Sequence, residues 1–228
     1  MKKIIFLQKV RKNFPNIKFN HAQLISSGYD NDVIVLDKTI VFSFPKPKYD
    51  CLEKIQKQIK IVPLLNKAIS ISIPNFKYIP EDKSFVGYRY IKGVPLSNKI
   101  IKGLSDKQRE ACAKQIAKFI NELHHFSVPI AAKNGVDVLY GQYDLKTKQS
   151  VIHRDLIDEH IIFNQQKNKI VGIIDFGDVA IADPALEFSR IWRYGEKFLD
   201  LILKYYKTTD IDIKERSKML WLSSKQVS

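Results

Sequence analysis

The chain has 228 residues, 45% of them hydrophobic, which is enough for one large domain or two small lobes sharing a cleft. No apolar run approaches the roughly 20 residues of a bilayer span, and the opening MKKIIFLQKVRKNFP holds too short an apolar segment for a cleaved signal. Cys51 and Cys112 are too few for a disulfide framework and lack metal-ligand spacing, which fits a reducing cytoplasm; the formal charge of +14 has no dense arginine–aromatic patch beside it, so solvated lysines account for it better than a nucleic-acid partner.

In chain order, residues 2–14 place Ile4, Ile5, Leu7, Val10 and Phe14 at helical spacing, ended by Pro15. Residues 23–26, 33–36 and 39–44 then read as short strands separated by the turn Ser27-Gly28-Tyr29-Asp30-Asn31-Asp32 and by Asp37-Lys38. A strand, a glycine-containing loop and a second strand can present backbone N–H groups to a phosphate, although one glycine among aspartates serves an ordinary turn equally well. Residues 50–67 predict a helix that Pro63 should kink or split. Residues 76–79 and 85–90 complete a five-strand set, and Tyr88 to Gly93, YRYIKG, is the hinge candidate. A helix follows over 105–123 with Ser105 as N-cap, then a less periodic stretch over 126–150, and finally a helical pattern over 184–206.

The densest chemistry lies in residues 151–184, VIHRDLIDEHIIFNQQKNKIVGIIDFGDVAIADP. Asp155 follows a His-Arg pair, His160 comes five residues later, and Asp175 opens Asp-Phe-Gly after two apolar runs joined by the polar turn NQQKNK. Such a hairpin holds two loops side by side. Phosphoryl transfer needs a carboxylate that orients or deprotonates the attacking hydroxyl and ligands that hold Mg²⁺ on nucleotide phosphates, and Asp155, His160 and Asp175 offer that set in order and spacing. The bland alternative is that His153 and Asp155 cap a turn while Asp175 and Asp178 order a loop.

His153-Arg154-Asp155, His160 to Phe163, Gly172 to Asp178 and Asp183-Pro184 together resemble the aminoglycoside phosphotransferase family, most closely its 2″-phosphotransferases. Ser26 to Asp32 is similar to that group's nucleotide loop, Phe44-Pro45-Lys46 to its third strand, and Tyr90 to Gly93 to its hinge exit, so the resemblance covers roughly residues 24–206. It implies an α+β, two-lobed, protein-kinase-like fold: an N-lobe over 1–90 with a five-stranded antiparallel sheet, and a reduced helical C-lobe over 91–228. It also implies ATP or GTP as phosphate donor, Mg²⁺ as cofactor, and a small hydroxylated acceptor of the aminoglycoside type. Asp155 would be the catalytic base, His160 and Asp175 the metal ligands, and the backbone of Tyr88, Arg89, Tyr90 and Ile91 the contact for the nucleotide base. Asp178 and Asp183 would order loops.

Where the family's third strand carries a phosphate-binding Lys, this chain has Ser43, and Lys38, Lys46 and Lys48 lie an odd number of residues away and so on the opposite face. The partner Glu of the following helix corresponds to Gln58 or Lys60, which leaves Lys60 as the candidate to reach across to the phosphates. The family also has a larger helical insertion before the His-x-Asp loop and more helices after the position of Tyr206, so the acceptor side should be open or differently walled. Three readings follow: a phosphotransferase, a catalytically impaired relic of one, and, on charge alone, a basic nucleic-acid-binding module.

Overall fold

The computed structural model describes residues 1–48, 50–139 and 148–225. Helix α1 (Lys2–Asn13) precedes strands β1 (Ala22–Ile25), β2 (Asn31–Leu36) and β3 (Ile40–Pro45), then helix α2 (Cys51–Ala68) and strands β4 (Phe76–Tyr78) and β5 (Val86–Arg89). These strands form one antiparallel five-stranded sheet in the order β1-β2-β3-β5-β4. Period-2 alternation assigns its faces. Ile34, Leu36, Phe42 and Phe44 pack with Val10 of α1 and Phe85, and the Phe6–Phe44 and Phe44–Phe85 rings stack at 4.3 and 4.6 Å. Val33, Val35, Val41 and Ser43 take the other face, and the register places Ser43 opposite Val33 on one side and Val86 on the other.

Pro63 neither splits α2 nor ends it; the helix runs unbroken through it for 18 residues. The proline lies on the exposed face, where the carbonyl that loses its i→i−4 donor can be solvated, while Ile55, Ile61, Val62 and Leu65 bury the opposite face.

Beyond Ile91 come β6 (Val94–Pro95), α3 (Asn98–Gly103), α4 (Asp106–His124), α5 (Val128–Lys133), β7 (Asp137–Val138) and β8 (Ser150–Ile152). A 3₁₀ turn (Asp158–His160) leads into β9 (Ile161–Asn164), β10 (Lys169–Ile173) and β11 (Ala180–Ala182), followed by α6 (Ala185–Ile191), α7 (Glu196–Tyr205) and α8 (Ile213–Lys225). The predicted cap of α4 is present as a reciprocal box, Ser105 accepting from Gln108 N–H while the Gln108 side chain accepts from Ser105. The predicted hairpin is β9–β10, with a bulge between Ile170 and Gly172. The expected continuous helix over 184–206 is instead two, because Gly195 at φ +91° breaks the chain direction between α6 and α7. Residues 140–147, inside the stretch read as aperiodic, lie outside the described residues.

One large core joins α2, α4, β9, β10, α6 and α7 through buried residues such as Leu65, Phe119, Phe163 and Phe188. Gly172 lets the hinge reach the hairpin: a Cβ there would meet Ile91 Cγ2 at 2.8 Å and the Ser72 carbonyl at 2.9 Å. Because one of these atoms is backbone, Gly172→Ala is expected to lower stability by about 1–3 kcal/mol in urea unfolding, as overpacking does elsewhere. Among the described residues no helix is long and apolar enough to cross a membrane.

Candidate functional site

Below the second face of the sheet lies a cleft of about 670 Å³. Its roof is aliphatic, from Val33, Val35, Val41 and Val86, with Ser43 in the same row; its floor carries Asp155, His160, Asp175 and Asp178. A flat apolar roof over a polar floor suits a ligand with a planar ring at one end and charged groups at the other.

The floor is shaped by two residues in the left-handed region, Arg154 (φ +69°) and Asp175 (φ +65°), neither of them glycine. Such backbone costs on the order of 1–3 kcal/mol per residue and persists only where its surroundings over-determine it. Here Arg190 Nε donates to the Arg154 carbonyl at 3.0 Å, Ile157 N–H to the Asp155 carbonyl at 2.9 Å, and Ile174 N–H to the His160 carbonyl at 2.9 Å. The two loops are thereby pinned to each other as well as to α6.

His160 stands between the two carboxylates. Its Nδ1 is 2.8 Å from the Asp155 carbonyl and 3.4 Å from Asp155 Oδ2, and its Nε2 is 3.5 Å from Asp175 Oδ2. A carbonyl only accepts, so Nδ1 is the donor to it, and Nε2 is the ring nitrogen that faces Asp175. The arrangement therefore separates one carboxylate, Asp155, from an imidazole–carboxylate pair, His160 and Asp175, that face each other.

A buried layer supports this floor. His153 is fully buried, and its N–H donates to Glu187 Oε2 at 2.5 Å while Nε2 meets the Ile174 carbonyl at 3.0 Å. Burial holds the His153 pKa below its ordinary value, outweighing the nearby Glu187 charge, so the ring stays neutral. Phe176 packs edge-on against His153 at 4.7 Å and against Phe119 at 6.3 Å, which anchors Asp-Phe-Gly to α4. Asp183 takes a structural part, accepting from Ala185 N–H and pairing with Arg216 Nε of α8 at 2.9 Å.

Of the residues singled out in the sequence, Ser43, Tyr88, Tyr90, Ile91, Asp155, His160 and Asp175 all border the cleft. Arg89 is exposed and off its wall, and its backbone pairs with Ile40. Lys60 does not reach across. It lies on the solvent side of α2, because the helical phase that buries Ile61 and Gln58 turns it outward, and Gln58 is the residue that borders the cleft. By sequence Glu187 joins Asp158 and Glu159 as a candidate for a small acidic acceptor pocket, but it is fully buried under His153 and does not border the cleft. One neighbour of the site was missed. Lys54, whose Nζ lies 2.7 Å from Asp30 and 3.1 Å from Asp178, was foreshadowed only by standing one helical turn before Gln58.

A sheet roof over the Asp155 loop and an Asp-Phe-Gly loop is the plan of the kinase-like α+β fold, and solved structures of that fold superpose closely on this chain. The GDP and kanamycin complex of APH(2″)-IIIa matches with a TM-score of 0.89 at 27% identity, covering 99% of this chain and 90% of that one. The streptomycin–ATP ternary complex of APH(2″)-IIa matches in fold at 21% identity with a TM-score of 0.81, covering 96% and 86%. In sequence, residues 142–221 match the model of the phosphotransferase enzyme family, APH. A Bacillus subtilis protein, uncharacterized YcbJ, is 23% identical over 82% of this chain and 74% of its own length. About a third of the chain thus matches the phosphotransferase enzyme family model, and the chain has the kinase-like fold seen in the aminoglycoside 2″-phosphotransferase structures.

Proposed function

We propose that this protein transfers the γ-phosphoryl group of ATP or GTP to a hydroxyl of a small molecule, with an aminoglycoside as the first acceptor to try. The observation that carries this is the arrangement at His160, whose Nδ1 side meets Asp155 and whose Nε2 faces Asp175, so that two carboxylates flank one imidazole under a roof fit for a purine. Asp155 would accept or orient the acceptor hydroxyl's proton. His160 Nε2 and Asp175 would hold Mg²⁺, whose part is to neutralise phosphate charge. The donor set fits, since one carboxylate and one imidazole nitrogen leave the remaining positions to water and phosphate oxygens, although an all-oxygen set would hold the ion more firmly. Tyr88, Tyr90 and Ile91 would contact the nucleotide base at the hinge. Glu159, which borders the cleft, suits a polycationic acceptor despite the chain's positive balance, whereas Asp158 is paired with Arg193 at 2.8 Å.

The test is nucleotide consumption with Mg²⁺ across an aminoglycoside panel, Asp155→Ala serving as the blank; turnover that this substitution removes supports the reading, and equal turnover without the carboxylate overturns it. A second reading, a catalytically impaired phosphotransferase, draws on the neutral pair Ser43 and Gln58, which border the cleft where a cation and its carboxylate would meet triphosphate. Under that reading Ser43→Lys raises nucleotide affinity by roughly tenfold; titration showing no gain removes it.

A further inference from the structure

Neither Ser43 nor Gln58, which border the cleft, carries charge, yet an ammonium group from a different residue stands behind its wall, paired to two residues that line it. Lys54 Nζ lies 2.7 Å from Asp30 Oδ2 in the loop between β1 and β2, 3.1 Å from Asp178 Oδ1 just past Asp-Phe-Gly, and 3.4 Å from Asp50 Oδ2. Asp30 and Asp178 both border the cleft, and the Lys54 stem passes beside Gly177, its Cδ 3.7 Å from where a Cβ would stand. The side chain is only 18% exposed.

The neighbouring lysines are engaged elsewhere. Lys46 Nζ donates to the Ser26 carbonyl at 3.0 Å and to that of Gly28, and Lys48 Nζ donates to the Tyr29 carbonyl at 2.9 Å while lying over the Tyr29 ring. Both grip the β1–β2 loop by its carbonyls. Lys57 reaches the Val179 carbonyl at 3.2 Å and Asp137 at 3.4 Å, and Lys60 faces solvent. Lys54 is therefore the one lysine of this group held by two cleft-bordering carboxylates from opposite sides. Burial works against its charged form, but hydrogen bonds to Asp30 and Asp178 outweigh that and raise its pKa above the ordinary lysine value, so it remains an ammonium.

We propose, building on the phosphotransferase reading above, that Lys54 on α2 is the phosphate-contacting cation of this site in place of a lysine on β3. In this structure it ties the β1–β2 loop to the Asp-Phe-Gly loop; with a nucleoside di- or triphosphate in the cleft it exchanges Asp30 for a phosphate oxygen and keeps Asp178. An ammonium has three donors on a flexible stem, so it can hold Asp178 and turn another N–H to the ligand. A phosphate oxygen is a strong charge-assisted acceptor and can take the place of the Asp30 carboxylate on the lysine. The same residue then couples α2 to the metal-bearing loop, a task that a strand Lys and helix Glu would otherwise share.

The experiment is calorimetric titration with GTP, GDP, ATP, ADP, guanosine and adenosine, in the presence of Mg²⁺, of the wild type, Lys54→Met, Lys54→Arg, Lys60→Met and Asp30→Asn. Lys54→Met is expected to weaken di- and triphosphate binding by roughly tenfold or more while nucleoside binding is unchanged; Lys54→Arg keeps the phosphate preference, and Lys60→Met behaves as wild type. Asp30→Asn, which removes the competitor for the ammonium, is expected to tighten diphosphate binding, and this arm carries the test should Lys54→Met not fold. Equal diphosphate affinity in Lys54→Met and wild type, parallel loss of nucleoside binding, or weaker diphosphate binding in Asp30→Asn overturns the proposal. Absence of any purine nucleotide binding in the wild type instead overturns the phosphotransferase reading on which it rests.

Discussion

Asp155→Asn is expected to reduce phosphotransfer by about 10²–10⁴-fold, the usual worth of a positioned general base, while leaving the nucleotide-induced thermal shift intact. The substitution keeps the size of the side chain while removing its negative charge and its capacity to take a proton. The loop should hold its shape, because the contacts that fix it use backbone: the Asp155 carbonyl receives Ile157 N–H and faces His160 Nδ1, and the preceding carbonyl receives Arg190. His160 should likewise stay oriented toward Asp175, since its 2.8 Å contact is to the Asp155 carbonyl and not to the carboxylate. Initial rates of nucleotide consumption with the best acceptor of the panel, compared with thermal shift on the same samples, separate the two effects. Lost rate with retained shift is the expected pattern; retained rate would move the base to another residue.

The largest stability effect is expected at Glu187, which touches no part of the cleft surface. Its side chain is fully buried, Oε2 accepts the His153 N–H at 2.5 Å and lies 3.8 Å from His124 Nε2, and His124 Nδ1 in turn meets the Tyr206 hydroxyl at 2.8 Å. Glu187→Ala removes the acceptor, leaves the buried His153 N–H without a partner and opens a cavity between α6 and α4. Each of these mechanisms is among those that give the largest single-site losses, and together they predict about 3–5 kcal/mol in urea unfolding. Glu187→Gln, which retains an acceptor oxygen of the same reach, should recover a substantial part. A loss below about 1 kcal/mol for the alanine variant would show that the loop before Asp155 is held by its other contacts alone.

The kinds of element in the five-stranded sheet with its two helices, α4 and the β9–β10 hairpin were legible in the residues themselves, whereas α3, α5, α8 and the short strands β6, β7 and β11 were not. Alternation marked the strands of the sheet, the Ser105–Gln108 box marked α4, and the two apolar runs around NQQKNK marked the β9–β10 hairpin, because each of these signals is local and is written within a few residues. The spacing of Asp155, His160 and Asp175 was equally readable, since a hairpin of that length can only return its two ends to the same place. Lys46 and Lys48 lie past the end of β3, so strand parity does not place them; both instead hold the β1–β2 loop by its carbonyls.

Tertiary structure alone decided which groups face one another across the cleft. Helical phase relative to the sheet turned Lys60 to solvent and brought Gln58 and Lys54 inward, and no count of residues along α2 predicts that phase until Ile55, Ile61 and Leu65 are docked on the core. Gly195 broke a helix that its flanking apolar pattern would have continued, because the turn it permits is needed to lay α7 on α4. The burial of Glu187 under His153 depends on contacts between residues 34 positions apart. Sequence therefore specified the chemical groups of this site and the loops that carry them, while which charged groups of α2 stand beside Asp30 and Asp178 was set by long-range packing, which acts through space and leaves no periodic trace in the chain.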